Sequence, residues 1–371
     1  MSLLLTPAEA ALYRTGPNNI SILFEAKGGF DPARALFGLH QMVEGTERFH
    51  RIPKGRLSPC FGARLPLHWP DHVAILDATD VTAAQMMALT RRLALPSDRP
   101  LWRAVLVNPD GAGWRGLALH FDHAIADGTR ISRHIVKEAR PGAEQKAPIV
   151  DLPRIKLAQL ETDTDPRLTP ADPALLRLSF ADLSRAMPDA ASHSDALLRL
   201  AHRILSEEPA FAGLPTTRRD HAQVARIEAL RTAGGVLGNR AHMVTVDLSV
   251  SATASSALFE RSRASWVEAA RMNLARFVPA ALLRPIVQKE FSQPGIVLTV
   301  VPVGRTLPPL FGLDLQAIHP AAPVLGRPPL AITAVRTGQG FDICITAHGP
   351  DGRAIPDLSQ RVASQMTEIV Q

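Results

Sequence analysis

An α/β fold in two mixed halves, joined by a crossover segment, is expected from this sequence. Three features lead to it. The chain has 371 residues, 46% hydrophobic and 20% charged, which suffices for a buried core and, at roughly 150 residues per domain, for two of them. Strand-like alternation and helical periodicity interleave along both halves. Between Glu138 and Pro170 the periodicity fails and Pro148, Pro153, Pro166 and Pro170 gather, as in a connector. The halves are therefore set at 1–145 and 173–371, with 146–172 as the linker.

In the first half, Asn19 to Ala26 alternates like a strand. Gly28, Gly29, Phe30 and Asp31 lead into a helix with Asp31 as N-cap and Pro32 at the first helical position. His68 to Leu76 reads as a short strand, and Asp80 to Leu93 as an amphipathic helix. Leu101 to Val107 and Trp114 to Phe121 flank a turn at 108–113 and form a hairpin. The second half opens with helices at Pro173 to Met187 and Ser194 to Ser206. Strands follow at Gln223 to Leu230 and His242 to Val250, then a long helix over about 252–274. Further strands lie at Ile296 to Val301, Leu330 to Val335 and Phe341 to Thr346, and a helix from Asp357 to Val370 closes the chain. The proline-broken apolar stretch from Phe277 to Val287 fits a core or tunnel helix. It also fits a lipid-docking segment helped by Arg284 and Lys289.

Composition narrows the function. The formal net charge is +6 and the cations are mostly arginine, a side chain suited to phosphate and carboxylate pairing. No block of five or six like charges occurs, and one Tyr with four Trp leaves little for base stacking, which argues against nucleic acid. A phosphate-bearing small molecule or an acidic protein partner fits better. The two cysteines, Cys60 and Cys344, exclude a disulfide scaffold or a thiolate zinc site. No run approaches the roughly 18 apolar residues of a spanning helix, and the start lacks the features of a secretion signal. A soluble cytoplasmic protein is expected, with no metal and no permanently bound cofactor.

The segment Leu117 to Arg130 stands apart. Leu117, Leu119 and Phe121 alternate with Ala118, His120 and Asp122, as in a half-buried strand that runs up to His123. Asp127 and Gly128 break the pattern, and a helix follows from Thr129. His123 is thus delivered to a short loop between rigid elements, where function concentrates. Neutral imidazole takes a proton near neutral pH, so a positioned histidine suits general-base work on a hydroxyl or amine. The plainer alternatives are a hydrogen-bonded structural histidine and an Asp127 that only caps the helix. His120, Asp122 and His123 also imitate a metal site, but strand alternation turns His123 away from the other two.

The run His123-Ala-Ile-Ala-Asp127-Gly128 resembles the His-x-x-x-Asp-Gly signature of the thioester-dependent acyltransferase superfamily. That superfamily includes chloramphenicol acetyltransferase, peptide-synthetase condensation domains and the wax ester synthase/diacylglycerol acyltransferases. The last branch is further suggested by the Asp98-Arg99-Pro100-Leu101-Trp102 strand entry and the opening from Leu5 to Leu12. Ser194-Asp195, Arg226 to Arg231 with Gly238-Asn239, and Pro356-Asp357-Leu358 are similar to other elements of that branch, in the same order. Three positions depart from it. Asp122 stands where the family has a first histidine, Ser194 where it has asparagine, and the segment Thr299 to Gly304 lacks the family's asparagine.

The resemblance implies two chloramphenicol-acetyltransferase-like lobes, a pseudo-dimer with a tunnel between them. In it a monomeric enzyme would move an acyl group from acyl-CoA, or from a phosphopantetheinyl thioester on an acyl carrier protein, to an alcohol or amine. His123 would be the base, Asp127 would hold the loop through an arginine, and Gly128 would let backbone N–H groups approach the oxyanion. Asp122, Ser194, Asp195 and Thr299 would meet substrate. A catalytically silent relative that serves as a binding subunit is the remaining alternative.

Overall fold

The computed structural model describes residues 3–5, 13, 18–55, 60–126, 128–139, 150–165, 171–227, 241–249, 278, 280–323 and 326–371. The expected helix at 252–274 and the Gly238-Asn239 element lie outside these residues, as does Asp127. In the first half, strands β1 (Leu3–Leu4), β2 (Asn19–Ala26), β3 (Pro53–Lys54), β4 (Cys60–Phe61), β5 (Val73–Leu76), β6 (Trp102–Val107) and β7 (Gly116–Asp122) alternate with helices α1 (Pro32–Glu44), α2 (Ala83–Arg92) and α3 (Gly128–Glu138). The connector carries β8 (Arg154–Ile155) and α4 (Leu157–Thr162). The second half contains β9 (Ala174–Ser179), α5 (Phe180–Ala186), α6 (His193–Glu207), α7 (Thr216–Arg219), β10 (His221–Ile227), β11 (Ala241–Asp247), α8 (Ala280–Ser292), β12 (Ile296–Pro302), β13 (Leu315–Ala321), β14 (Leu330–Arg336), β15 (Gly340–Ala347) and α9 (Leu358–Val370).

These strands build two six-stranded mixed sheets, ordered β13-β2-β7-β6-β5-β8 and β11-β10-β12-β14-β15-β9, beside a small β1-β4-β3 sheet. The molecule is two-lobed, with one large sheet per lobe. In the first lobe, Leu117, Leu119 and Phe121 of β7 pack with Leu36, Leu39 and Met42 of α1 and with Ile131 and Ile135 of α3. On the opposite face Ala118 meets Met86 and Met87 of α2. β7 is therefore buried along all seven residues, not half-buried as its alternation suggests. A central strand covered by helices on both faces loses the polar side. Asp31 caps α1 by accepting from Ala33 N, with Pro32 in the first turn, as expected.

Two elements differ from expectation. Residues 173–187 hold β9 followed by α5, not one helix. Leucine is a good helix former, but here Ala174 and Leu178 fill the second lobe's core while Leu175 packs on the first lobe, and that period-two demand overrides propensity. β13 has no clear strand signature because a bulge separates Leu315 from Ala317 and Pro320 interrupts it. It belongs to the second half of the chain yet pairs with β2 at the edge of the first lobe's sheet, where proline is tolerated.

The second lobe buries α6 and α9 against one sheet face, through Leu197, Leu200, Ile204, Val362 and Met366. Its other face meets the first lobe. Val335 of β14 belongs to the first lobe's core, and Arg91 of α2 donates from Nη1 to Thr346 Oγ1 at 3.0 Å. The buried Asp342 carboxylate accepts from Arg177 Nε at 2.7 Å and from Ile318 N at 3.0 Å, tying β13 to β15. Helix α8 turns Leu283 inward but leaves Leu282 and Ile286 exposed at 61% and 57%, so it is not a wholly buried core or tunnel helix. Among the described residues no helix is long and apolar enough to cross a membrane.

Candidate functional site

The site grows out of the end of β7. β7 is held by β2 and β6, with Trp102 of β6 directly opposite Phe121. Trp102 is fixed in turn by its indole N–H on Phe49 O at 3.0 Å and by edge-on packing with Phe49. Beyond Asp122 the chain turns through His123 to Ala126 into α3. His123 N donates to Asn18 O at 2.8 Å and Ile125 N to Asp122 O at 3.0 Å. Ala124, Ile125 and Ala126 are all fully buried, whereas His123 is only half-buried. The three apolar side chains anchor the loop, and His123 is its less buried residue.

Two charged side chains fasten this loop from beneath. Asp122 Oδ1 accepts from Ala124 N at 2.7 Å, the bond by which an aspartate closes a turn over its own backbone. Burial pushes the Asp122 carboxyl up to about 6, because a desolvated carboxylate resists ionising. The buried Arg48 donates from Nη1 to Ala124 O at 2.9 Å and to Ile125 O at 3.3 Å. Its guanidinium also lies 5.0 Å from the Phe61 ring centroid, a favourable cation–π distance. Tyr13 adds a phenol hydroxyl on Pro53 O at 2.9 Å. Burial, and next the nearby Asp122, raise its pKa.

His120, three residues earlier, does something different. Its Nδ1 lies 2.9 Å from Ser21 Oγ and its Nε2 3.1 Å from Leu93 O, and burial pushes its pKa down to about 3. It is a neutral crosslink between β7, β2 and the end of α2. His120 and His123 thus do not form a cluster, and among the described residues no group of three or more His, Cys, Asp or Glu could hold a metal ion.

Thr299 sits half-buried on β12, opposite Thr333 of β14 and Ala225 of β10. Its strand neighbours Ile296 and Leu298 enter the second lobe's core, so Thr299 lies on the face turned toward the first lobe. Beyond it, Pro302 and Val303 line a cleft of about 300 Å³ together with Ser132, Arg133, Val136 and Lys137 of α3. Helix α3, which leaves the His123 loop, therefore meets the strand that carries Thr299. Ser194 and Asp195 open α6 elsewhere in the second lobe. Asp195 N donates to Ser192 Oγ at 3.2 Å, and the Asp195 carboxylate accepts from Ala191 N and Arg199 Nε, both at 3.0 Å. These are local contacts that close the first turn of the helix. Gly128 is the first residue of α3.

Arg48 is the part of this site that sequence patterns do not single out. It lies in a short 3-10 helix, Glu47–His50, amid other cations, and only its burial distinguishes it.

No family model matches this sequence, and no curated protein does. Solved structures share its fold over the whole chain. The wax ester synthase/diacylglycerol acyltransferase from Marinobacter aquaeolei VT8 has a TM-score of 0.62 at 16% identity, covering 99% of this chain and 98% of that one. The first condensation domain of the CDA synthetase also has a TM-score of 0.62 at 16% identity, covering 100% and 96%. A variant of the starter condensation domain of rhizomide synthetase, in complex with C8-CoA and Leu-SNAC, has a TM-score of 0.54 at 14% identity, covering 100% and 93%.

Proposed function

We propose that this chain is an acyltransferase that moves an acyl group from a thioester donor, acyl-CoA in the first instance, to an alcohol acceptor, with His123 as general base. The observation that carries the proposal is the position of His123: the half-buried residue of a loop whose next three side chains are sealed, at the end of the first lobe's central strand. The shared two-lobed fold supports the same reading, since its other holders include an acyltransferase and condensation domains.

In this mechanism His123 takes the proton from the acceptor hydroxyl as its oxygen attacks the thioester carbonyl. The tetrahedral oxyanion that forms needs preorganised donors, and Gly128, without a Cβ, admits backbone N–H groups there. Collapse breaks the carbon–sulfur bond, and the departing thiolate takes back the proton from the imidazolium. Ester and free thiol leave, and no acyl-enzyme forms. Asp127 is assigned to holding the loop, a task in which Arg48 already takes part through two carbonyls. Thr299 is assigned to the substrate path and Ser194 and Asp195 to its second-lobe side, while Asp122, buried beneath the loop, bears on that path through the turn that it closes. Arg133 and Lys137 at the cleft on α3 suit the phosphates of CoA or of a carrier-bound pantetheine arm.

The test supplies purified protein with octanoyl-CoA and with an octanoyl-loaded carrier protein, across alcohols and amines. Thiol release is followed for the parent and for His123→Ala. Acylation from octanoyl-CoA that His123→Ala abolishes is the expected outcome, and turnover from the carrier alone would reassign the donor. A His123→Ala protein as active as the parent, or no turnover with any pair, would sink the proposal.

A further inference from the structure

Helix α8 is the element that the acyl-transfer reading leaves without a task. Among the described residues the exposed large hydrophobic side chains are two, Leu282 at 61% and Ile286 at 57%, and both belong to this helix. Four residues apart, they lie one above the other on one face, and Lys289, three residues further on and exposed, joins the same stripe. Pro285 beside them is exposed as well, while Leu283 is turned inward. Apolar side chains scattered singly over a surface need no explanation, but a pair gathered on one helix does.

The fold fastens the helix in this pose. Arg218 Nη2 donates to Ser292 O at 2.7 Å and Nε to Gln293 O at 3.3 Å, while Nη1 reaches Pro350 O at 2.9 Å. A turn lies flush on the same end of the helix, where a Cβ on Gly326 would come within 2.5 Å of Gln288 O and 2.7 Å of Ser292 N. Arg327, next in that turn, is exposed and holds φ at +49°, a left-handed conformation that arginine seldom takes. Neither Lys289 nor Arg327 has an ion-pair partner among the described residues. The nearby Arg353 pairs with Asp351, and Glu290 is the one acid of the helix.

These features fit a lipid surface better than a protein. A stable protein interface buries about 800 Å² on each partner through some 20–30 residues, which two side chains one turn apart cannot supply. An interfacial helix needs only an apolar stripe set into the acyl boundary and cations level with the headgroup phosphates. Leu282 and Ile286 supply the first, Lys289 and Arg327 the second. We infer that α8 docks the protein peripherally on an anionic phospholipid surface. This face is separate from the cleft on α3. The helix leads into β12 at Ile296, and Pro302 of the cleft ends that strand, about 20 Å further along at the usual rise. Docking is therefore read without turnover and does not depend on the acyl-transfer reading.

The experiment sediments the full chain with vesicles of phosphatidylcholine alone and of phosphatidylcholine mixed equally with phosphatidylglycerol. Partitioning onto the anionic vesicles is expected to exceed that onto the neutral ones by about tenfold and to fall with added salt. The double variant Leu282→Ser, Ile286→Ser should bind the anionic vesicles about tenfold more weakly or worse. The double variant Lys289→Gln, Arg327→Gln should lose the anionic preference and keep the binding to neutral vesicles. Both should melt with the parent, because the altered side chains are exposed. A parent that stays in solution, an apolar variant that binds as well as the parent, or an anionic preference that survives the loss of both cations overturns the proposal. An apolar variant that melts well below the parent shows that the stripe is covered in solution, and overturns it too. So does a parent that sediments as a dimer and becomes monomeric in the same variant, since the stripe is then a contact between two copies.

Discussion

The ends of β7 and β15, one in each lobe, are built alike and finish differently. Both strands are buried along their whole length, and both are followed at once by a histidine, His123 and His348. Each histidine donates its backbone N–H to the residue just before a neighbouring antiparallel strand: His123 to Asn18 O at 2.8 Å before β2, and His348 to Pro329 O at 2.9 Å before β14. Each sequence then passes through an Asp-Gly pair, 127–128 and 351–352, toward a helix. The difference is access. His348 is 2% exposed, sets Nδ1 3.1 Å from Pro328 O, and has its pKa pushed down to about 4 by burial. His123 is half-buried. The same chain path thus supplies a fastener in one lobe and a candidate reagent in the other, and solvent access separates the two.

Exchanging the roles of the two histidines is the sharpest way to break this contrast. His123→Ala should lower acyl transfer by about 10²–10⁴-fold, the usual contribution of a general base, with an unchanged melting temperature. His348→Ala should do the reverse, costing about 1–3 kcal/mol of stability through the orphaned Pro328 carbonyl while turnover per folded molecule is retained. Parallel losses of activity in both variants would erase the distinction.

The fastening of the His123 loop comes next in size. Arg48→Met removes the donor for two buried carbonyls and should cost about 3 kcal/mol in urea unfolding, with turnover falling alongside. Asp122→Asn isolates the neighbouring carboxyl. Its folded pKa of about 6 lies above the ordinary carboxylate value, so the folded state holds the proton more tightly. The parent's stability should therefore fall as pH rises from about 4 to 6 and level off above that, by about 2–3 kcal/mol in all. Asp122→Asn should lack that slope, so its stability relative to the parent rises over the same window. Denaturant midpoints at pH 4, 5, 6 and 7 measure this, and a parallel pair of curves would show that Asp122 does not titrate there. The smallest effect belongs to Leu282→Ser on α8, expected within about 0.5 kcal/mol because the side chain is exposed, in contrast to the inward Leu283.

Much of this arrangement was legible in the chain. The Asn108 to Gly113 turn announces the β6–β7 hairpin, Asp31-Pro32 announces α1, and the alternation from Leu117 to Asp122 announces a strand that ends at His123. Arg48 was not legible, because one arginine among many declares itself only when burial strips it of water. The swap of β13 was hidden by Pro320 and a bulge, which an edge strand accepts and a sequence pattern rejects. His348 was passed over for a related reason. An apolar strand, a histidine and an Asp-Gly pair read the same in both lobes, and the difference lies in how deeply the fold buries each histidine.

The most direct measurement is carbethoxylation of the folded protein by diethyl pyrocarbonate, read residue by residue by peptide mass spectrometry alongside acyl-transfer activity. The prediction is that His123 is modified early and in step with loss of activity, while His348 and His120 stay unmodified until the protein unfolds. Modification of His348 as fast as His123, or full inactivation with His123 untouched, would contradict it.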